Sequence, residues 1–211
     1  MSSESIQQAI IMGNVASISA SVNQLLVEGM NSQQILDEQL LPGMAIVGER
    51  FKRNEMFLPQ VLMSAQAMQT AIDILKPHLA GDSEARQRRT VVIGTVKGDM
   101  HDIGKNLVRI MLIGAGFEVI DLGVNVPAQR FLEASSQHEA AVVCLSALLS
   151  STMNNMKEVV EAFRGHPDLK NTKILIGGAP VSREFSQSIG ADGYAPTAPA
   201  AVEQVQQFCG Q

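Results

Sequence analysis

From Thr90 onward the chain alternates short apolar runs with stretches whose apolar residues recur at helical spacing, and this alternation leaves few folds open. The strand-like runs cover 91–96, 117–122, 140–145 and 173–176, with a short one near Gly193 and Tyr194. Continuous apolar runs suit strands buried on both faces. A helix between successive runs supplies the crossover that parallel strands need. The pattern predicts a flavodoxin/Rossmann-like, doubly wound five-stranded parallel sheet. With strand order 2-1-3-4-5, the ligand crevice opens at the carboxyl ends of strands one and three.

Residues 1–80 read instead as helix throughout. Asn14 caps a helix carrying Val15, Ile18, Val22, Leu25 and Leu26, and Gly29 ends it. Ser32 starts a second, with Ile35, Leu36 and Leu40 inward, and Pro42 falls in the first turn of a third containing Met44, Val47 and Phe51. A long helix opens near Leu58 and Pro59 and carries Val61, Leu62, Ala65, Met68, Ile72 and Leu75 on one face, with Met56 and Met63 also read as packing. These helices predict a small bundle. Residues 81–89 are polar and aperiodic and read as a linker, which leaves an α/β domain over 90–211.

Composition narrows the function classes. A net charge of −5, with no basic cluster beyond the short run at 86–89, offers no phosphate footprint, so no nucleic-acid partner is expected. No apolar run reaches membrane-spanning length, and the start at Met1 lacks a signal-peptide pattern. The expectation is a cytoplasmic protein with no membrane partner. Cys144 and Cys209 lack metal-type spacing, and Cys144 sits in an apolar run as a small buried hydrophobe.

Chemistry concentrates where the first strand turns into the first helix of the second domain, at Gly98-Asp99-Met100-His101-Asp102-Ile103-Gly104. A metal-binding histidine needs its second ring nitrogen oriented, usually by a carboxylate, and Asp99 is two residues away. Gly98 and Gly104 permit close approach of something bulky. Two further stretches follow strands of the same sheet: Ser146-Ala147-Leu148 after the third, Gly177-Gly178 after the fourth. Three motifs far apart in sequence thus converge on one crevice. His78, His138 and His166 belong to no such constellation, and Lys97 reads as rim.

The D-x-H-x-x-G, S-x-L and G-G series at these separations resembles the cobalamin-binding domain of methionine synthase and of the small corrinoid proteins of methyltransferase systems. The resemblance implies a cobalamin, cycling between cob(I)alamin and methylcob(III)alamin, with its nucleotide tail drawn beside the sheet. It makes His101 the lower axial ligand of cobalt and Asp99 the acceptor for its other nitrogen. Aligned through Ser146, Thr152 stands where methionine synthase has a serine and completes a proton relay. Gly98, Met100, Asp102, Ile103 and Gly104 complete the histidine loop, although Asp102 also suits the start of the following helix. Ser146 and Ser150 line the tail slot, Leu148 packs on its base, and Gly177 and Gly178 let the backbone lie against it. Tyr194 and Ala198 form the far wall. One of Ser150, Ser151 and Thr152 is also expected to cap the next helix.

The stretch 43–51 with 56–61 resembles the helical cap over the upper face of methylcobalamin, which places Phe51 and Leu58 beside the methyl group. The implied function is a methyl carrier between a substrate-specific corrinoid methyltransferase and a methylcorrinoid:acceptor methyltransferase acting on tetrahydrofolate or coenzyme M, kept active by a reductive activase. The alternatives are the cobalamin subunit of a carbon-skeleton mutase, a cobalamin-sensing regulator, and a flavodoxin-like module without a corrinoid. Methylamines, glycine betaine, methanol and aryl methyl ethers all remain open as donors, because donor recognition resides in the partner.

Overall fold

The structure, a computed structural model, describes residues 6–79 and 90–210, so the linker expected over 81–89 lies outside the described residues. The chain divides into two compact units, one helical and one α/β.

In the helical unit, α1 (Ile6–Met12) is followed by α2 (Val15–Val27), where the Asn14 side chain accepts from the Ser17 N–H at 3.1 Å. Gly29, at φ 86°, ends α2 by turning the chain so that the Met30 N–H reaches the Leu25 carbonyl. The next helix starts at Ser32, but its cap is Asn31, whose side chain accepts from the N–H groups of Gln33 and Gln34. This α3 (Ser32–Gln34) widens into a π-helical segment, Ile35–Leu40, and runs on without a break into α4 (Leu41–Lys52). The sequence predicts two helices here. Pro42 explains the difference, since it has no N–H for the Glu38 carbonyl and its ring would collide with that carbonyl in an α-turn. The wider turn avoids the collision, and Gln7 Nε2 donates to the Glu38 oxygen at 3.3 Å instead.

The long helix α5 (Leu58–Leu79) buries Val61, Ala65, Met68 and Leu75. Leu62 and Met63, both read from the sequence as packing, are 43% and 53% exposed, while Met56 is buried. Leu62 and Met63 directly follow Val61 and so lie about 100° and 200° around the helix from it, off the i, i+4, i+7 stripe.

The second unit is a parallel sheet of order β2-β1-β3-β4-β5. Its strands are β1 (Thr90–Thr95), β2 (Glu118–Asp121), β3 (Val142–Ser146), β4 (Lys173–Gly177) and β5 (Gly193–Ala195). The intervening helices are α6 (Ile103–Gly114), α7 (Ala128–Gln137), α8 (Asn154–Gly165) and α9 (Arg183–Ile189), and α10 (Ala198–Phe208) closes the chain. Every residue of β1 is buried, as the continuous apolar run requires. One core cluster joins Val92, Val143, Leu145 and Ile174 of the strands to Phe131 of α7 and Phe163 of α8. Cys144 and Cys209 are both buried and unbridged.

The register aligns the strand ends that matter. Thr95 pairs with Ser146, Ser146 with Gly177, and Gly177 with Ala195. One row across four strands therefore brings the loops after β1, β3 and β4 to the same edge.

Candidate functional site

The loop from β1 to α6 puts a carboxylate inside and an imidazole outside. Asp99 has no exposed surface, while the His101 side chain is 49% exposed. His101 Nδ1 lies 2.7 Å from Asp99 Oδ1, which also accepts from the His101 N–H at 3.1 Å. The other oxygen, Oδ2, accepts from the N–H groups of Leu148 at 2.8 Å and Leu149 at 3.1 Å, and from the Thr152 hydroxyl at 2.8 Å. Thr152, itself buried, has the Leu149 carbonyl as an alternative acceptor at 2.8 Å.

Burial alone would raise the Asp99 carboxyl. The hydrogen bonds from the His101 ring, the Leu148 N–H, the Thr152 hydroxyl and the His101 N–H outweigh it and hold the group well below the usual carboxylate range. Asp99 is therefore an anion and can only accept, so the neutral imidazole carries its proton on Nδ1. Nε2 keeps its lone pair and makes no hydrogen bond among the described residues. A ligand nitrogen is thereby presented with its tautomer set from behind.

The loops that carry this nitrogen and its carboxylate expose several large apolar side chains. Met100 and Ile103 are 67% and 74% exposed; Leu148 and Leu149, tied to the same carboxylate, are 44% and 42% exposed. Exposed aliphatic side chains on the same loops as one free imidazole nitrogen suit a broad apolar ring system carrying a metal at its centre. Gly104 points the same way, because a Cβ there would meet nothing within 4 Å. The protein's own packing does not require that glycine, so the space beside it fits a bound group. The residues present thus fit a corrin held through cobalt, although among the described residues no cluster of His, Cys, Asp and Glu forms a multi-ligand metal site.

The other predicted residues divide. Ser146 ends β3 between Thr95 and Gly177, and Ser150 is exposed in the turn after it. Gly178 has φ 133°, and a Cβ there would meet the Ala147 oxygen at 1.8 Å; at Gly177 it would meet the Ala195 oxygen at 2.9 Å. Both glycines are accordingly demanded by neighbouring backbone whatever binds beside them. Tyr194 is half-buried against the core cluster, and Ala198 is buried at the start of α10. The Asp102 carbonyl accepts from the Asn106 N–H at the first turn of α6, and its carboxylate takes the Asn106 amide at 3.1 Å.

The expected capping of α8 by Ser150, Ser151 or Thr152 does not occur. The helix begins behind Met153 with no side-chain cap, because the Thr152 hydroxyl is turned to Asp99 and the Leu149 carbonyl. In the helical unit, Phe51 near the end of α4 and Leu58 at the start of α5 are both half-buried, and Phe57 between them is 69% exposed. His166 Nδ1 accepts from the Asp168 N–H at 3.3 Å, an ordinary turn contact.

Three residues that sequence reasoning missed hold the histidine loop. The Thr95 hydroxyl donates to the His101 carbonyl at 2.8 Å, Asn125 accepts from the Gly98 N–H at 2.8 Å, and Asn155 donates to the Lys97 carbonyl at 2.6 Å. A signal was present for Asn125: it lies between Gly123 and Pro127 in a turn-rich stretch, where asparagine takes left-handed conformations readily.

Comparison with known proteins places these features in company. A B12 binding domain family matches residues 89–203, and a second B12 binding domain family matches 3–76. A corrinoid protein of Desulfitobacterium hafniense is 38% identical over 99% of this chain and 97% of its own length. A dimethylamine corrinoid protein of Methanosarcina acetivorans is 38% identical over 86% of this chain and 84% of its own. Among solved structures, the methanol:cobalamin methyltransferase complex of Methanosarcina barkeri is similar at a TM-score of 0.86 and 29% identity, covering 98% of this chain and 79% of that one. A cobalamin-binding protein of Desulfitobacterium hafniense is similar at 0.75 and 32% identity, with 96% of each chain covered.

Proposed function

The chain belongs to the B12-binding family as a cobalamin-binding corrinoid protein of methyltransferase systems, and from that premise we propose how its residues carry a methyl group between two partner enzymes. The observation that carries the reading is His101, with Nδ1 bound to a wholly buried, ionised Asp99 and Nε2 left free. Bound cobalamin supplies a cobalt centre that accepts and releases methyl groups.

His101 Nε2 would hold the cobalt. Asp99 orients the ring and makes Nε2 a stronger donor, since a negative partner on Nδ1–H pushes electron density into the imidazole. Thr152 and the N–H groups of Leu148 and Leu149 hold the carboxylate still. Asp99 would serve as counter-charge to the imidazole whether or not a metal is bound, and the Thr152 hydroxyl has both Asp99 and the Leu149 carbonyl within reach. Ser146, Ser150, Leu148, Gly177, Gly178, Tyr194 and Ala198 would line the slot for the nucleotide tail. Phe51 and Leu58 would stand on the methyl side, a role that rests on the sequence resemblance of the helical unit.

Partner enzymes supply what this chain lacks. A methyltransferase binds and presents the donor, in keeping with the methanol and methylamine systems of its relatives. A second methyltransferase takes the methyl group to tetrahydrofolate or coenzyme M, and a reductive activase restores the cofactor after oxidation. The setting proposed is cytoplasmic; among the described residues no helix is long and apolar enough to cross a membrane.

The test is spectroscopic. Protein reconstituted with hydroxocobalamin and reduced to Co(II) should show nitrogen hyperfine splitting that changes when the histidines carry 15N. Splitting that comes from the benzimidazole instead would overturn His101 as the ligand.

A further inference from the structure

The loop that presents His101 is clasped from outside by one residue of another strand connection. Asn125, in the segment 122–127 after β2, meets two neighbouring backbone groups of that loop with bonds of opposite sense. Its Oδ1 accepts from the Gly98 N–H at 2.8 Å, and its own N–H donates to the Asp99 carbonyl at 2.9 Å. Thr95 and Asn155 hold the loop at His101 and Lys97, and the two contacts of Asn125 on adjacent residues fix the position and orientation of the Gly98–Asp99 stretch between them.

The residue doing this is constrained. Asn125 sits at φ 55°, a left-handed conformation in which only Gly, Asn and Asp are at ease. Of these, glycine has no side-chain acceptor. The segment that carries Asn125 is anchored in turn. The Gly123 carbonyl takes the Thr95 N–H, and the Val126 N–H goes to the Thr95 carbonyl. Asp121 at the head of the segment accepts from the Gly123 N–H and pairs at 2.7 Å with Lys105, whose side chain is 2% exposed.

We propose that Asn125 is a positioning residue for cobalt ligation, fixing the Gly98–Asp99 backbone so that the Asp99 carboxylate meets His101 Nδ1 and Nε2 is held at one place. The inference rests on His101 being the cobalt ligand. Asp99 can orient the ring only as well as its own Cα is held, and the Gly98 hinge, at φ 80°, would otherwise let it wander. Asn125 acts in this proposal through the Gly98–Asp99 backbone.

The experiment compares the full-length protein with Asn125→Gly and Asn125→Asp. Glycine keeps the backbone conformation and the N–H to Asp99 but deletes the acceptor; aspartate keeps both. With hydroxocobalamin as probe, Asn125→Gly should raise Kd about fivefold, equivalent to about 1 kcal/mol. It should also weaken or broaden the histidine nitrogen splitting of the Co(II) form. Asn125→Asp should restore both. Wild-type affinity and splitting in a folded Asn125→Gly, or no rescue by aspartate, would overturn the proposal. Should Asn125→Gly fail to fold, amide exchange at Gly98 in the wild-type apoprotein decides: protection supports the clasp, and exchange at the rate of an open loop refutes it. Benzimidazole splitting in the wild type is a separate result that removes the ligand assignment itself.

Discussion

Replacing Asp99 by asparagine changes one atom, and the geometry dictates which way the new amide turns. Oδ2 faces three donors, the N–H groups of Leu148 and Leu149 and the Thr152 hydroxyl, whereas Oδ1 faces the His101 N–H and ring Nδ1. An amide NH2 at the Oδ2 position would confront two backbone N–H groups that have no alternative role. At the Oδ1 position it confronts one, and Nδ1 can turn from donor to acceptor by moving its proton to Nε2. The amide therefore places its oxygen at Oδ2 and forces the wrong tautomer on His101, with a proton on the nitrogen that must meet cobalt. Losing an orienting partner of this kind costs about 10–100-fold in metal affinity, or about 1.4–2.7 kcal/mol. The apoprotein also loses a charge-assisted bond at the His101 N–H, worth about 1.5–3 kcal/mol. Long-range 1H–15N spectra of the apoprotein at mildly alkaline pH read the tautomer directly, and titration with hydroxocobalamin reads the affinity. If Asp99→Asn keeps the proton on Nδ1, or binds as tightly as the wild type, the reasoning from the two oxygens is wrong.

Thr152→Val keeps shape and charge but removes one donor to Oδ2, so Kd for hydroxocobalamin should rise less than in Asp99→Asn, with the Nδ1–H tautomer intact; equal losses in the two variants would contradict this ranking. The loop glycines should respond with opposite signs under chemical denaturation. Gly178→Ala drives a Cβ into the Ala147 oxygen and should cost at least about 3 kcal/mol, whereas Gly104→Ala meets only open space in the first turn of α6 and should stabilise the apoprotein by about 0.5–1 kcal/mol while weakening cobalamin binding. Burial, with Cys209 adding to it, pushes the Cys144 thiol up to about 12, so a thiol reagent near neutral pH should label neither buried cysteine until the chain unfolds. Because the folded value lies above the ordinary value of 9.0, this group's contribution to stability is complete below that pH and is lost as pH rises towards the folded value. An alkaline melt that stays flat across this range in wild type and Cys144→Ala alike would count against it.

Sequence alone determined the parallel sheet and its crossovers, because each rests on local signals, apolar runs for strands and helical spacing for crossovers; the order 2-1-3-4-5 enters as the premise of that fold class, and the strand pairing is what shows it. It also named Asp99 and His101 as partners, since a two-residue separation in a tight turn leaves them little choice but to meet. The tertiary structure decided what local signals cannot carry. That the Asp99 carboxylate is wholly buried and takes two backbone N–H groups from the loop after β3 depends on contacts some fifty residues away. The resemblance assigns Thr152 to Asp99, whereas its neighbours read equally as a helix cap, and the folded position of Asp99 beside it is what turns the hydroxyl inward. The π-turn before Pro42 and the outward-facing Leu62 and Met63 are local by contrast, the first following from the missing Pro42 N–H and the second from their place around the helix. The two glycine motifs, alike on paper, proved physically different. Gly177 and Gly178 are required by strands that close beside them, while Gly104 borders empty space. A sequence records that a side chain is missing, and only the folded neighbourhood determines whether the protein or its ligand fills the room.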